Sequence, residues 1–194
     1  CVHYAHRGLH DNHSEAPENS MKAFKKGVEA GYGIEMDIQL TKDKIPVVFH
    51  DETLDRMCGV EGKVWEFTFE ELQNLALAQS EERIPKFEDV LELVDGKVPL
   101  IVEYKLDVPS TEVCEIADPM LQDYNGIYCI ESFHPYAVKW YKDHRPDVIR
   151  GQLSQDFSKI EKYKGKFIYW MLSNLLTNVL TRPDFIAYNH KDAQ

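Results

Sequence analysis

Two acidic residues that alternate with apolar residues are the first sign of chemistry in this sequence. Within residues 33–40, Glu35, Asp37 and a glutamine alternate with isoleucine, methionine and leucine. A period of two predicts a β-strand with one apolar face and one acidic face. Carboxylate oxygens are hard ligands that suit Mg²⁺ or Ca²⁺ better than zinc. The segment is therefore a candidate metal site, provided that neighbouring strands bring further ligands.

Other ionisable residues stand where three further apolar segments end. His6 and Arg7 close the first of these segments. His50 closes a later one, and Glu103 and Lys105 close a third. A parallel α/β sheet or barrel places its active site at the carboxyl ends of its strands. We therefore expect these side chains to meet the acidic pair at one site.

The types of these residues indicate what each could do. His6 and His50 have side chains that titrate near neutral pH, so they suit proton transfer. Arg7 and Lys105 can bind phosphate oxygens, the arginine as a planar fork and the lysine as a point charge. Glu103 shares a strand face with Lys105 and offers a third carboxylate. A metal ion, two histidines and two cations together suit the cleavage of a phosphate ester.

The elements that must position these residues alternate along the chain. The strand candidates are residues 2–6, 33–40, 46–50, 99–105, 126–133, 148–153 and 185–189. Helix candidates fall between most of them, and this alternation predicts a parallel sheet. Seven such strands favour a TIM-type (β/α) barrel over an open sheet. We expect residues 1–194 to form one domain.

One connection is too short for this pattern. Residues 41–45 separate the second and third strands and cannot hold a crossover helix. The chain returns there either as a loop or as a hairpin with its turn centred on Asp43. The hairpin would set Asp37 opposite Phe49, and both alternatives bring His50 near the acidic pair.

Caps and apolar stripes predict the helices. Asn19 or Ser20 can cap a helix that ends at Gly31, and Thr68 and Glu71 have the spacing of a capping box. Apolar stripes or a helix-starting proline predict further helices over residues 87–94, 113–121, 135–141 and 172–180.

The composition limits the compartment and the kinds of partner. The net charge is −11, so nucleic acid and anionic membrane surfaces are not expected as general partners. No stretch approaches the roughly 18 consecutive apolar residues of a transmembrane helix. The four cysteines show neither a CxxC spacing nor a disulfide pattern. A reducing compartment, the cytoplasm, is the expected location. A leader or membrane domain outside these residues is left open.

Short motifs follow one another in order over roughly the first two-thirds of the chain. They include His6-Arg7-Gly8, Pro17-Glu18-Asn19-Ser20, Ile34-Glu35-Met36-Asp37, Pro46-Val47-Val48-Phe49-His50-Asp51, Leu54, Arg56, Phe87-Glu88-Asp89-Val90-Leu91, Val102-Glu103-Tyr104-Lys105 and Ser132-Phe133. Each motif alone is weak, but the ordered set resembles the glycerophosphodiester phosphodiesterase family.

The resemblance implies a TIM-type barrel that hydrolyses glycerophosphodiesters to glycerol 3-phosphate and an alcohol. It implies one divalent cation, Mg²⁺ or Ca²⁺, on Glu35, Asp37 and Glu103. It also implies that His6 and His50 form the acid–base pair. In the family either a glycerol hydroxyl of the substrate attacks first, through a cyclic phosphate, or water attacks directly, and the sequence leaves both routes open.

The partner that the resemblance implies is a small glycerophosphodiester. Arg7 and Lys105 are implied to bind its phosphate, and we expect Phe133 to pack on its glycerol. Neither nucleic acid nor stable membrane insertion of this segment is expected.

The last third of the chain departs from the family pattern. The family's closing strand, with its Trp-Thr pair, has no counterpart after Asn189. Trp170 precedes the seventh strand and cannot replace it. We therefore expect a barrel that lacks its closing strand, and a natural protein that is longer than these residues.

Two other functions fit the same motifs. A phospholipase D-like or phosphoinositide-cleaving barrel would need an exposed apolar rim or a basic membrane patch, and the sequence has no basic run. A catalytically inactive barrel that serves as a binding module would be marked by the loss of a histidine or a metal ligand, and all of them are present.

Overall fold

The structure, a computed structural model, describes residues 2–106, 110–161, 163–189 and 191–192. The chain divides into two units, Cys1–Tyr128 and Cys129–Gln194. The strands are β1 Tyr4–His6, β2 Gly33–Leu40, β3 Pro46–Val48, β4 Leu100–Tyr104, β5 Tyr128–Ser132, β6 Arg150–Ser154 and β7 Phe185–Tyr188. Each predicted strand therefore corresponds to an observed one; β2 has the predicted bounds, and the other strands differ from theirs by one or two residues at the ends.

The β2 strand is the centre of the sheet in the first unit. It pairs in parallel with β1 on one side and with β4 on the other. The register sets His6 beside Glu35 and Asp37 beside Glu103. The register of the backbone alone therefore places these candidate site residues side by side.

The short connection after β2 is a hairpin. The β3 strand pairs antiparallel with β2, and Ile38 stands opposite Val48. The backbone N–H of Phe49 donates to the carbonyl oxygen of Asp37 at 2.9 Å. In the turn, the Thr41 hydroxyl lies 2.6 Å from a carboxylate oxygen of Asp43. The hairpin alternative, with Asp37 opposite Phe49, is confirmed.

Two helices of the first unit begin at the predicted caps. The helices of this unit are α1 Met21–Glu29, α2 Asp55–Cys58, α3 Phe69–Leu72, α4 Phe87–Val94 and α5 Glu112–Asp123, with a 3₁₀ turn over Val64–Glu66. Ser20 caps α1, because its Oγ accepts the N–H of Ala23 at 3.1 Å. The capping box of Thr68 and Glu71 at the start of α3 is confirmed.

A cluster of buried apolar residues supports the segment that follows β3. Its members are fully or almost fully buried, and they are Val47, Phe49, Leu54, Met57, Val64, Leu72, Leu77 and Ile84. Leu54 caps the short helix α2 and Met57 lies within it, and both side chains are buried in the cluster, so this helix is anchored to the core on one side. Phe49 and Leu54, on either side of the segment from His50 to Thr53, are buried in the same cluster, so His50 and Arg56 are held on a rigid support.

In the second unit, β6 pairs in parallel with β5 and with β7. Its helices are α6 Pro135–His144, α7 Phe167–Ser173 and α8 Asn178–Thr181, with a 3₁₀ turn over Phe157–Lys159. Pro135 occupies the first turn of α6, as predicted. None of the helices in the described part of the chain combines the length and hydropathy that a membrane span requires.

The predicted helix over residues 172–180 is wrong. The α7 helix ends at Ser173, and α8 begins only at Asn178. Leu175 between them has a φ of 57°, which interrupts the helical path. Val179 is 76% exposed, so the apolar stripe is not the buried face of one helix. The side-chain amide of Asn174 donates to the carbonyl of Trp170 at 2.8 Å, which satisfies one of the last carbonyls of α7.

We predict that Gly8→Ala destabilises the protein more than Gly59→Ala does. Both glycines have positive φ, 81° and 67°, so each alanine costs about 1 kcal/mol of backbone strain. A Cβ on Gly8 would also lie 2.9 Å from the backbone carbon of Ala23 in α1, whereas one on Gly59 meets nothing within 4 Å. This contact should add about 1–3 kcal/mol for Gly8 alone. Denaturant midpoints measure the difference, and equal midpoints for the two variants would contradict the steric account.

Candidate active site

Three buried carboxylates from two neighbouring strands form the core of the site. Glu35, Asp37 and Glu103 are 6%, 1% and 6% exposed. One carboxylate oxygen of each lies within 4.8 Å of those of the other two. The period of β2 puts Glu35 and Asp37 on one face, and the parallel register adds Glu103 from β4. Charges this close and this buried require cationic or hydrogen-bonding partners.

Lys105 supplies the first of these partners. Its Nζ lies 2.6 Å from Oε1 of Glu103 and 2.9 Å from Oδ1 of Asp37. Burial alone would raise the pKa of Asp37, but the Lys105 charge beside it holds that pKa below its usual value. Burial alone would likewise lower the pKa of Lys105, but Asp37 and Glu103 raise it. Both members of this contact are therefore charged at neutral pH.

Two residues in left-handed backbone conformation supply further partners. Arg7 has a φ of 56° and Asn19 a φ of 55°. The backbone N–H of Arg7 donates to Oε2 of Glu35 at 2.9 Å, and the side-chain Nε of Arg7 lies 3.6 Å from Oδ2 of Asp37. The side-chain amide of Asn19 donates to the same Oδ2 at 2.9 Å. Such backbone strain is typical of functional sites, where the surrounding structure imposes it.

The two histidines lie at the edge of this cluster. Nε2 of His6 is 3.8 Å from Oε2 of Glu35. Partial burial and the charge of Arg7 lower the pKa of His6, so the ring is neutral near pH 7. Nδ1 of His50 lies 2.6 Å from a carboxylate oxygen of Asp51. His50 is also close enough to Asp37 to help lower the pKa of that carboxyl.

A second polar cluster borders the site. The ligand atoms of Glu18, His50 and Asp51 lie within 4.8 Å of one another, a spacing that could hold a metal ion. The guanidinium of Arg56 hydrogen-bonds to both carboxylates instead. Burial would raise the pKa of Glu18, but the hydrogen bonds from Arg56 and Asn12 lower it to about 2. This cluster is therefore an ion-pair network with its own cation.

The carboxylates of the core fit a hard divalent cation. All three donors are oxygen atoms, and Oδ1 of Asp37 is buried without a hydrogen bond of good geometry in the described residues. The Lys105 ammonium beside that atom shows that the pocket accommodates positive charge. Oxygen donors without histidine or cysteine are the set that Mg²⁺ and Ca²⁺ prefer.

A sequence profile decides the family. The profile of the glycerophosphoryl diester phosphodiesterase family matches residues 6–172, a range that includes every predicted site residue. The chain belongs to this family. The resemblance drawn from the motifs is thereby confirmed.

Relatives in the glycerophosphoryl diester phosphodiesterase family agree with this assignment. A glycerophosphodiester phosphodiesterase of Caldanaerobacter subterraneus is 38% identical in an alignment of 162 residues that covers 78% of this chain and 65% of that protein. Glycerophosphodiester phosphodiesterase 1 of Mus musculus is 31% identical in an alignment of 186 residues that covers 87% of this chain and 54% of that protein. The chain thus spans less than two-thirds of the length of these relatives.

Solved structures show the same fold. A phosphodiesterase of Oleispira antarctica, solved in complex with the product sn-glycerol-3-phosphate, superposes with a TM-score of 0.81 at 20% identity and covers 100% of this chain and 77% of that one. A glycerophosphodiester phosphodiesterase of Thermotoga maritima gives 0.69 at 24% identity, covering 97% and 74%. The predicted TIM-type barrel class is confirmed.

The structure brings together seven of the eight residues singled out in the sequence. They are His6, Arg7, Glu35, Asp37, His50, Glu103 and Lys105. Phe133 belongs to the second unit, where its ring meets that of Phe157 edge to face at 6.2 Å, and its contact with glycerol stays a prediction. The sequence patterns indicate only a capping role for Asn19 and no role for Glu18 or Arg56, although all three lie in the family motifs.

We predict that Glu18→Gln weakens the protein at neutral pH but not in strong acid. Glu18 has a pKa of about 2 in the folded state against an ordinary 4.5, so its ionised form stabilises the fold above pH 4.5. This stabilisation is lost as the pH falls towards 2. At pH 7 we expect a loss of about 1–3 kcal/mol, the scale of a hydrogen bond to a charged group. Denaturant unfolding at several pH values should show the difference from wild type shrinking below pH 4.5.

The matched control is Glu112→Gln. Glu112 pairs with Lys44 at 2.7 Å, but both side chains are largely exposed. Such a pair contributes only about 0.5 kcal/mol. A Glu18→Gln deficit that is as small as the control's, or that stays constant down to pH 3, would contradict the role of the buried network.

Proposed function

We propose that the chain carries the catalytic site of a metal-dependent phosphodiesterase that hydrolyses glycerophosphodiesters to glycerol 3-phosphate and an alcohol. The observation that most directly supports this proposal is the buried carboxylate cluster, which is flanked by Arg7, Lys105 and two histidines. The family match and the glycerol 3-phosphate complex of the Oleispira structure support the substrate class.

One divalent cation, Mg²⁺ or Ca²⁺, is the proposed cofactor, with Glu35, Asp37 and Glu103 as its ligands. Their oxygen donors and mutual distances support this assignment. Such an ion polarises a phosphoryl group and neutralises charge that develops in the transition state. Arg7 and Lys105 orient the phosphate, and Phe133 is proposed to pack on the glycerol.

The balance of charge supports a cation in the core. Three carboxylates face two cationic side chains, Arg7 and Lys105, and Arg7 is shared with Glu18 at 2.9 Å. The core therefore has an excess of negative charge that a divalent ion would offset.

His6 and His50 are the proposed acid–base pair. One removes a proton from the attacking hydroxyl or water, and the other protonates the leaving oxygen. The lowered pKa of His6 leaves its ring neutral near pH 7 and able to accept a proton. Attack by the glycerol hydroxyl and attack by water both use this pair, and a cyclic phosphate among the products would distinguish them.

A cytoplasmic location and a single barrel domain over residues 1–194 are proposed as well. Cys58, Cys114 and Cys129, the cysteines of the described residues, are free thiols. Burial raises the pKa of Cys58 and of Cys129 to about 11, which makes these thiols unreactive at neutral pH. Free structural thiols suit a reducing compartment.

The activity is tested by incubating the full-length protein with glycerophosphocholine, glycerophosphoethanolamine and glycerophosphoglycerol, each with added Mg²⁺ or Ca²⁺ and with a chelator. We expect release of glycerol 3-phosphate that the chelator abolishes. Isothermal titration should also show weaker metal binding in Glu35→Gln and Glu103→Gln, but not in Glu112→Gln. Chelator-insensitive release, or unchanged affinity in both ligand variants, would refute the metal assignment.

We predict that His6→Ala and His50→Ala each lower turnover by about 100-fold or more, because each removes one partner in proton transfer. Turnover is measured at saturating metal and substrate, so that weaker binding does not contribute. His144→Ala is the control, since His144 stacks on Trp140 in the second unit. Turnover close to wild type in either site variant would remove that histidine from the mechanism.

A further inference from the structure

Arg56 has an unusual set of hydrogen bonds beside the site. It lies in the short helix α2, and its guanidinium hydrogen-bonds to two carboxylates at once. Nε and Nη2 donate to the two oxygens of Asp51 at 2.6 and 2.9 Å. Nη1 and Nη2 donate to the two oxygens of Glu18 at 2.9 and 2.6 Å. Both pairs are bidentate, the arrangement in which arginine imposes the most geometry.

Each of these carboxylates also holds one residue of the proposed catalytic site. A carboxylate oxygen of Asp51 lies 2.6 Å from Nδ1 of His50. Oε1 of Glu18 accepts from Nη1 of Arg7 at 2.9 Å. The guanidinium of Arg56 therefore lies between the proposed phosphate-binding residue and one of the proposed proton-transfer residues.

The network is held from both ends. Leu54 and Met57 on either side of Arg56 are buried in the apolar cluster, so the backbone of α2 is fixed. Glu18 is 5% exposed and exchanges two hydrogen bonds with Asn12, at 2.7 and 2.8 Å. The Arg56 side chain itself is about half-exposed and contributes little to the core. Arg56→Lys therefore leaves the apolar core unchanged.

The contact with Asp51 selects one tautomer of His50. The hydrogen bonds from His50 and Arg56 hold the pKa of Asp51 well below its usual range, although burial works against this. An ionised carboxylate only accepts hydrogen bonds, so Nδ1 of His50 must carry the proton. Nε2 of the neutral ring then has its lone pair available. Within the described ranges no residue hydrogen-bonds to Nε2, so this atom is the one left for the substrate.

We propose that Arg56 is a positioning residue that fixes the ring and tautomer of His50 through Asp51 and the guanidinium of Arg7 through Glu18. Its kinetic consequence rests on the proposed phosphodiesterase function, whereas its effect on the His50 tautomer does not. Lysine cannot replace it, because a single ammonium cannot form two bidentate pairs.

The kinetic test, made on the full-length protein, separates the contact through Asp51 to His50 from the contact through Glu18 to Arg7. Arg56→Lys should lower kcat about 10- to 100-fold and raise KM, because both His50 and Arg7 lose their orientation. Asp51→Asn should reproduce mainly the loss in kcat, and Glu18→Gln mainly the rise in KM. A merely structural defect would reduce the active fraction, which lowers kcat in every variant and leaves KM unchanged.

The control variant is Arg83→Lys. Arg83 is an exposed arginine whose guanidinium, among the described residues, donates only to backbone carbonyls, those of Gln73, Glu81 and Glu82. Its kinetics should equal those of wild type. The proposal is overturned if Arg56→Lys behaves like this control, or if the three network variants show no split between kcat and KM.

A spectroscopic measurement tests the inference independently of enzymatic activity. In protein labelled with ¹⁵N-histidine, the His50 ring, assigned from its absence in His50→Gln, should show a protonated Nδ1 in wild type and in Arg83→Lys. Arg56→Lys should show a mixture of tautomers. A protonated Nε2 in wild type, or an unchanged tautomer in Arg56→Lys, would overturn the proposal. If wild type releases no glycerol 3-phosphate, the proposed function fails while the spectra still decide the positioning role.

Discussion

The mutual repulsion of three buried carboxylates is the constraint on which the rest of the site depends. Glu35, Asp37 and Glu103 lie within 4.8 Å of one another and almost out of contact with solvent. Such a cluster persists only where cations and donors surround it. The ammonium of Lys105 and the strained backbone at Arg7 meet this need. The lysine and the strained arginine, which lie far apart in the sequence, thus stabilise the same three carboxylates.

Strand pairing and the buried apolar residues determine where these carboxylates lie. Parallel pairing of β2 with β1 and β4 fixes the register, and the hairpin to β3 carries the chain back beside Asp37. The buried cluster beneath the hairpin, described above, then holds His50 and Arg56 on a rigid base. Side chains at strand ends and on short supported segments vary little in position, which is what the proposed proton transfer and phosphate binding both need.

The sequence predicted what local patterns determine and missed what only folding brings together. The period of two found β2 and its acidic face, and the capping box found the start of α3. The apolar stripe over residues 172–180 misled, because periodicity reports an apolar face but not whether it is buried in one helix. The contact of Arg56 with Glu18 joins residues 38 positions apart, and no spacing rule reveals such a pair.

The placement of Lys105 has a consequence for how folding depends on the proposed metal ion. Because its ammonium bridges Asp37 and Glu103, the acidic cluster has a counter-ion that belongs to the chain itself. Folding therefore does not depend on the proposed metal ion as a counter-charge, in contrast to small domains that are unfolded without their metal.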